Sequence, residues 1–208
     1  MPYHFEFRIN DTNHVFPCDI ATVQCIANKR TGDRARCLRN CAIGTPYCYS
    51  HLLSEKKLRI KQSTNPRAGS GLFAQVSRSP TNREIVFRKG DLIIEYTGET
   101  IDFAELTTRY DLDEDNQYTA PYAYEIRKDE SFIDAACVRG VAALANHKGA
   151  TQSNAKFVKT RGANGIYNGV KLVATENIRN NREIFASYGN NYRLNEPTTH
   201  RTTYRRRN

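Results

Sequence analysis

The chain has 208 residues, 39% hydrophobic and 10% aromatic, enough for one medium domain with a core plus a small module, which excludes wholesale disorder. No apolar run approaches the roughly 18 residues that cross a bilayer, and Met1–Glu6 shows no basic region leading into an apolar stretch; the expectation is an intracellular protein without signal peptide or membrane segment. The net charge of +9, from 31 Lys and Arg against 22 Asp and Glu, favours polyanionic partners, nucleic acid or chromatin first, with a solvated surface and tail as the plainer alternative.

In chain order, Phe5, Phe7 and Ile9 alternate with Glu6 and Arg8, which predicts a short strand over residues 4–9. The segment from Cys18 to His51 is rich in Cys, Arg and Gly and too poor in aliphatic side chains to build its own core, so it needs a crosslink to fold. Six cysteines in an intracellular chain point to metal or free thiols rather than disulfides, and the fall of five of them in this segment, with only Cys137 beyond it, points to a separate module. Cys48 and His51 stand in Cys-x-x-His spacing, which lets one turn present two ligands to one metal. Cys25, Cys37, Cys48 and His51 are the expected zinc ligands, with Cys18 and Cys41 as spares, either of which could displace one of them. The segment also resembles short Cys3His modules of viral and phage proteins, through Thr31-Gly32, Arg36-Cys37 and Tyr47-Cys48-Tyr49-Ser50-His51.

A basic connection, Ser54–Lys61, leads into the second region. There Leu92-Ile93-Ile94 reads as a strand and Asp102 to Leu112 as a helix, with Asp102 as N-cap and Glu105 completing a capping box. Tyr122–Ile126 with Ser131–Asp134, and Ala155–Thr160 with Ile166–Ala174, read as two hairpins. The acidic run Asp111–Asp115 reads as a solvated loop or as a patch that steers a basic peptide. Many short strands, few helices and no βαβ repeat predict a mainly β fold of small sheets.

Five motifs carry a resemblance. Gly69-Ser70-Gly71-Leu72-Phe73-Ala74 comes first, then Glu95-Tyr96-Thr97-Gly98-Glu99, Ile133-Asp134-Ala135, Asn146-His147 within Ala143–Phe157, and Glu183-Ile184-Phe185-Ala186-Ser187-Tyr188-Gly189. In this order they resemble the SET domain, the fold of most protein-lysine methyltransferases. The resemblance implies a β-clip-like fold of several small sheets, with few short helices and a pseudoknot that brings the Asn-His and Tyr motifs together. It divides the chain into an N-terminal strand and zinc module (1–55), a SET domain (56–194) and a basic tail (195–208).

The implied activity is methyl transfer from S-adenosylmethionine to a lysine of a histone or another basic protein. A lysine amine must be neutral to attack, although its free pKa is about 10.4; an apolar channel and a nearby sulfonium disfavour its charged form, and in-line positioning supplies much of the rate. The resemblance assigns catalysis to Tyr188 and Tyr96. It assigns cofactor binding to Ala68, Gly69, Ser70, Gly71, Tyr122, Asn146, His147 and Tyr192. It further implies a nuclear location, in a host nucleus if the protein is viral. The pattern departs at Ala143, often Arg in the family, at Lys148-Gly149, usually Ser-Cys, at Ser153, usually Pro, and in the eight-residue step from Asn146 to Asn154. The post-Tyr zinc segment of many relatives is missing too, since no Cys follows Cys137. The competing expectation is a non-catalytic chromatin or nucleic-acid binding protein with a degenerate SET domain, motivated by the charge and the altered Asn-His segment.

Overall fold

The computed structural model describes residues 3–9, 12–18, 24–29, 32, 35–41, 46–66, 68–76, 81–110, 120, 122–128, 130–138 and 140–188, the first two stretches by backbone alone. Tyr192, the acidic run 111–115 and the tail 195–208 lie outside them. The strand predicted over 4–9 is β1 (Tyr3–Ile9), and it pairs antiparallel with β2 (Thr12–Cys18), Tyr3 opposite Cys18.

Residues 24–48 carry isolated bridges, Gln24 with Asn40 and Asn28 with Arg36, in place of regular elements. They lead into α1 (Tyr49–Lys56), whose N-cap is Cys48. The stretch expected as a basic connection is therefore structured: it is the end of α1 and the start of β3 (Leu58–Gln62), joined at Lys57 in a left-handed conformation, φ 55°. The Lys57 N–H closes the helix onto the Leu53 carbonyl.

β3 forms a hairpin with β4 (Ser70–Ala74). Next come β5 (Ile85–Phe87), β6 (Leu92–Tyr96), β7 (Glu99–Ile101) and α2 (Phe103–Tyr110). Asp102 caps α2 as expected, its Oδ1 accepting from the Glu105 N–H at 2.8 Å. The Glu105 carboxylate goes instead to Arg109, 2.7 Å away and one turn on, so only half of the capping box is used in that way. β8 (Ala123–Arg127) and β9 (Ser131–Asp134) form the first predicted hairpin, a 3-10 turn covers Val141–Leu144, and β10 is Asn146–His147. β11 (Ala155–Arg161) and β12 (Tyr167–Ala174) form the second hairpin, followed by β13 (Ile178–Arg179) and β14 (Phe185–Ser187).

The result is a mainly β chain of small sheets with two short α-helices among the described residues. Its largest sheet has the order β10-β14-β11-β12-β6; β7-β9-β8 form a second, and β13 pairs with β5. In the large sheet β14 lies between β10 and β11 and runs parallel to both. Since β10 and β11 follow one another in the chain, residues 148–154 must cross over β14, and this is the expected threaded arrangement.

One core lies under these sheets, with Leu58, Leu72, Leu172, Ile178 and Ile184 fully buried and α1 contributing Leu52. Full burial of one such side chain contributes about 1.5–3 kcal/mol. A second, smaller cluster joins α2 to β9 through Ile101, Leu106, Tyr110, Phe132 and Ala136. The expectation of thiols without disulfides holds for Cys25, Cys37, Cys41 and Cys48, which are free. Cys137 corrects it, being disulfide-bonded. Among the described residues no helix is long and apolar enough to cross a membrane.

Candidate functional site

Three of the sequence motifs meet along one stretch, residues 182–188. Its first part runs beside β4, with Ile184 N–H donating to the Leu72 carbonyl at 2.7 Å and Ala74 N–H to the Arg182 carbonyl at 2.9 Å. Its second part is β14, in which Phe185 lies opposite Asn146 and Ala186 opposite His147. Asn154 fixes the join: it is buried, its Nδ2 donates to the Glu183 carbonyl and its Oδ1 accepts from Phe185 N–H, at 2.8 and 2.9 Å.

Glu183 is a buried carboxylate surrounded by donors. Ser63 Oγ reaches Oε1 and Thr64 N–H reaches Oε2, both at 2.6 Å, and Asn146 Nδ2 approaches Oε1 at 3.2 Å. The same Asn146 amide donates to the Ser70 carbonyl at 3.0 Å. Gly71 lies against this group so closely that a Cβ there would overlap Glu183 Oε1, and Gly69 turns the chain with φ 63°, a conformation that favours glycine. Ala68 N–H closes the same turn onto the Asn65 carbonyl. The glycine motif and the Asn-His pair therefore share one rigid polar network, which sequence reading did not anticipate because a lone Glu after a turn reads as exposed.

His147 links this network to Tyr188. Its Nδ1 accepts from the Tyr188 N–H at 3.1 Å, which puts the ring proton on Nε2, and the two rings are 5.3 Å apart. The Tyr188 hydroxyl donates to the Ala145 carbonyl at 2.6 Å. Burial, with the neighbouring Tyr122 adding, pushes its pKa well above the usual tyrosine value, so the group stays neutral. With its proton engaged by Ala145, the oxygen can only accept from anything placed beside it.

Beyond Tyr188 is a narrow cavity of about 50 Å³, lined by Tyr96, Tyr122, Ala123, Tyr124, Ala143, Phe157 and Tyr188. Phe157 is the ring its neighbours in the wall share, 5.3 Å from the Tyr96 ring, 5.6 Å from Tyr124 and 5.8 Å from Tyr188. The Tyr96 hydroxyl is also engaged, donating to the Tyr122 carbonyl at 2.6 Å. That carbonyl accepts from Ala135 N–H as well, at 3.0 Å. Aromatic faces attract a cation by about 0.5–2 kcal/mol, whereas full burial can shift an amine's pKa by 3–5 units, or roughly 4–7 kcal/mol. The balance in this cavity favours a neutral amine. Tyr124 and Phe157 were not singled out in the sequence, where aromatic residues on strands read as ordinary core.

The wall is braced from behind. Asp134, fully buried, accepts from Tyr110 Oη at 2.7 Å and Ala136 N–H at 3.0 Å, and pairs with Arg109 Nη1 at 3.0 Å. Arg109 also holds Glu99 and Glu105, each at 2.7 Å. Asp134 immediately precedes Ala135, the donor to Tyr122, so α2 is fastened to the cavity wall.

In the N-terminal module the ligand atoms of Cys25, Cys37, Cys48 and His51 lie within 4.8 Å of one another, and all four residues are buried. His51 Nδ1 is 3.4 Å from Cys25 Sγ and 3.3 Å from Cys48 Sγ. The Cys-x-x-His spacing becomes the N-cap and first turn of α1. Burial raises the Cys48 pKa, but hydrogen bonds from the His51 backbone and from neighbouring thiols more than offset it, and the net shift is downward. Cys41 is packed against the group but outside it; burial, then the charges of Cys25 and Cys48, push its thiol up to about 11. Beyond these thiols, Ala27 and Tyr47 are the hydrophobic side chains packed on the cluster. Three thiols and an imidazole converging where, among the described residues, only Ala27 and Tyr47 add apolar packing fit a tetrahedral zinc centre in donor type and number.

A family model described as the SET domain matches residues 84–189, and the chain belongs to that family. Among solved structures it is similar to ctPRC2 in complex with H3K27me3 and H3K27M, at 24% identity, covering 68% of this chain and 16% of that one, with a TM-score of 0.52. It is also similar to the Chaetomium thermophilum polycomb repressive complex 2, at 23% identity over 66% and 16% of the two chains, with a TM-score of 0.48. The chain thus spans about one sixth of the length of the solved chains it matches. No curated protein matches its sequence.

Proposed function

We propose that the protein is a lysine methyltransferase that uses S-adenosylmethionine to modify a histone or another basic protein in the nucleus. One observation carries this reading: Tyr188 stands between the Asn146–His147 network and a narrow aromatic cavity, its oxygen held as an acceptor by the bond to Ala145. Gly71, pressed on Glu183, and the fixed Asn146 amide support cofactor contact along Ala68–Gly71 and Asn146–His147, with Tyr122 and, further along the chain, Tyr192. Bound there, S-adenosylmethionine supplies an electrophilic methyl group. The chain's own residues orient the reaction. The aromatic walls, Tyr96 and Phe157 foremost, align the lysine stem and exclude water. Tyr188 Oη accepts weak C–H contacts near the transfer point, and the apolar surroundings keep the amine neutral. In that site the amine lone pair would take the methyl group that the cofactor supplies, with the C–S electron pair staying on sulfur and the nitrogen's excess proton passing to solvent.

In the same reading the N-terminal module holds zinc through Cys25, Cys37, Cys48 and His51, and the metal's role is structural.

Labelled methyl transfer to core histones, comparing wild type with Tyr188→Phe, tests the enzyme. Wild type is expected to label a histone. Tyr188→Phe, which removes that preorganised oxygen, is expected to lose about 10²-fold of the rate with cofactor affinity kept. Wild-type protein that neither labels any basic protein nor binds the cofactor would replace this reading with the non-catalytic binder.

A further inference from the structure

Glu183 is a buried anion without a counter-charge among the described residues. It is 4% exposed, and every group that reaches it is a donor: Ser63 Oγ and Asn146 Nδ2 on Oε1, Thr64 N–H and Oγ1 on Oε2. A carboxyl group that accepts on both oxygens and donates to nothing is ionised. All of these donors are neutral, and none of the ion pairs among the described residues involves it. Lys61, opposite Gly71 on the neighbouring strand, turns its ammonium to Asn181 and the Phe73 ring instead. Buried charges are ordinarily paired.

We infer that Glu183 makes the site selective for a cationic cofactor, its charge favouring the sulfonium of S-adenosylmethionine over the neutral sulfur of S-adenosylhomocysteine. The inference deepens the reading of Ala68–Gly71 and Asn146–His147 as a cofactor site and rests on it. Glu183 is a positioning residue here, since it acts through Asn146 and through space. Asn146 Nδ2 faces three acceptors, the Ser70 carbonyl at 3.0 Å and Ser63 Oγ and Glu183 Oε1 at 3.2 Å. An amide oxygen cannot take that place against a carbonyl and a carboxylate, so Oδ1 points away from them. Asn146 is partly exposed, and Gly69 and Ser70 are exposed. What a ligand meets is therefore an amide oxygen and the glycine backbone, with the anion behind them. Gly71 leaves no side chain in between, because a Cβ there would overlap Glu183 Oε1. In so dry a setting a fixed charge acts on the next layer with little screening.

Calorimetric titration of the full zinc-loaded chain with S-adenosylmethionine and with S-adenosylhomocysteine, which differ by the sulfonium charge, tests this without turnover. Glu183→Gln keeps the size and removes the charge. It should lower the affinity for S-adenosylmethionine about tenfold more than that for S-adenosylhomocysteine, the order of one charge pair acting across a partly buried site. Glu183→Asp keeps the charge and should keep the wild-type ratio of the two affinities, whatever it loses in each. Equal losses in Glu183→Gln would reduce Glu183 to a support for Asn146 and overturn the inference, with the methyltransferase reading left in place. So would a ratio in Glu183→Asp that falls as far as in Glu183→Gln. Wild type that binds neither ligand overturns both the reading and the inference. If the unfolding midpoint shows that Glu183→Gln does not fold, Ser63→Ala carries the test. It takes one donor from the same carboxylate, leaves the charge less offset and should raise the preference for S-adenosylmethionine; an unchanged or lower preference would overturn the inference.

Discussion

The module and the SET domain solve the same problem, holding a chain in one conformation, with different physics. Around Cys25, Cys37, Cys48 and His51 the packed hydrophobic atoms are mostly the thiols themselves, with Ala27 and Tyr47 against them. Around Leu72, Leu172 and Ile184 a continuous apolar core does the work, and its polar interior, Glu183 and Asp134, is matched with donors. In the first region four side chains would carry most of the stability through the proposed metal; in the second, stability is spread over many. A substitution should therefore be all-or-none in the module and graded in the domain.

The largest expected effect comes from the metal proposed for the module. Chelation, or Cys48→Ser, should remove a contribution on the order of 10 kcal/mol from the module. Hydrogen exchange should then show residues 24–48 unprotected while β11 and β12 keep their protection. Loss of protection throughout would mean that the two regions are one cooperative unit, coupled through Leu52 of α1, and the comparison would fail. Next is Arg109→Ala, which leaves the buried Asp134 without its cation and should cost about 3–5 kcal/mol in urea unfolding. Because Asp134 adjoins the donor to Tyr122, the Michaelis constant for the peptide should rise as well, with cofactor affinity unchanged. Gly71→Ala places a methyl group against Glu183 and should cost about 1–3 kcal/mol; calorimetry should show weaker cofactor binding, and unaltered affinity would detach the glycine motif from the cofactor. The smallest effect is Asp102→Ala. Loss of the α2 cap should cost about 1 kcal/mol, seen as a small fall in melting temperature with metal content unchanged.

What the sequence disclosed follows the same division. The grouping of Cys25, Cys37, Cys48 and His51 was legible because the proposed metal chemistry restricts residue type and spacing: Cys48 and His51 stand three apart, and their three-residue step becomes the first turn of α1. The fold of the domain was legible as short alternating strands, and the hairpins of β8 with β9 and β11 with β12 lie within a residue or two of their expected bounds. The interior of the site was not. Phe157 looks like any aromatic on a strand, and only the insertion of β14 beside β11 sets it against Tyr188. Glu183 looks like a surface carboxylate until Ser63, Thr64 and Asn146, up to 120 positions away, converge on it. The stretch Ser54–Lys61 read as a linker because it is basic, yet Leu58 within it and Leu52 just before it enter the core. Long-range pairing decides such cases, and a local pattern carries no record of it.

The position of β14 has a consequence in time. Asn146 and His147 gain their neighbours Phe185 and Ala186 only after some forty further residues have been made, and the crossing segment 148–154 must admit a strand between two others already in sequence order. While it is being synthesised, then, the chain can complete its core hairpins and its Cys-His module with Tyr188 still absent. The candidate site is the last part of the described domain to exist, and a nascent or interrupted copy that ends short of β14 has its scaffold but not the proposed chemistry.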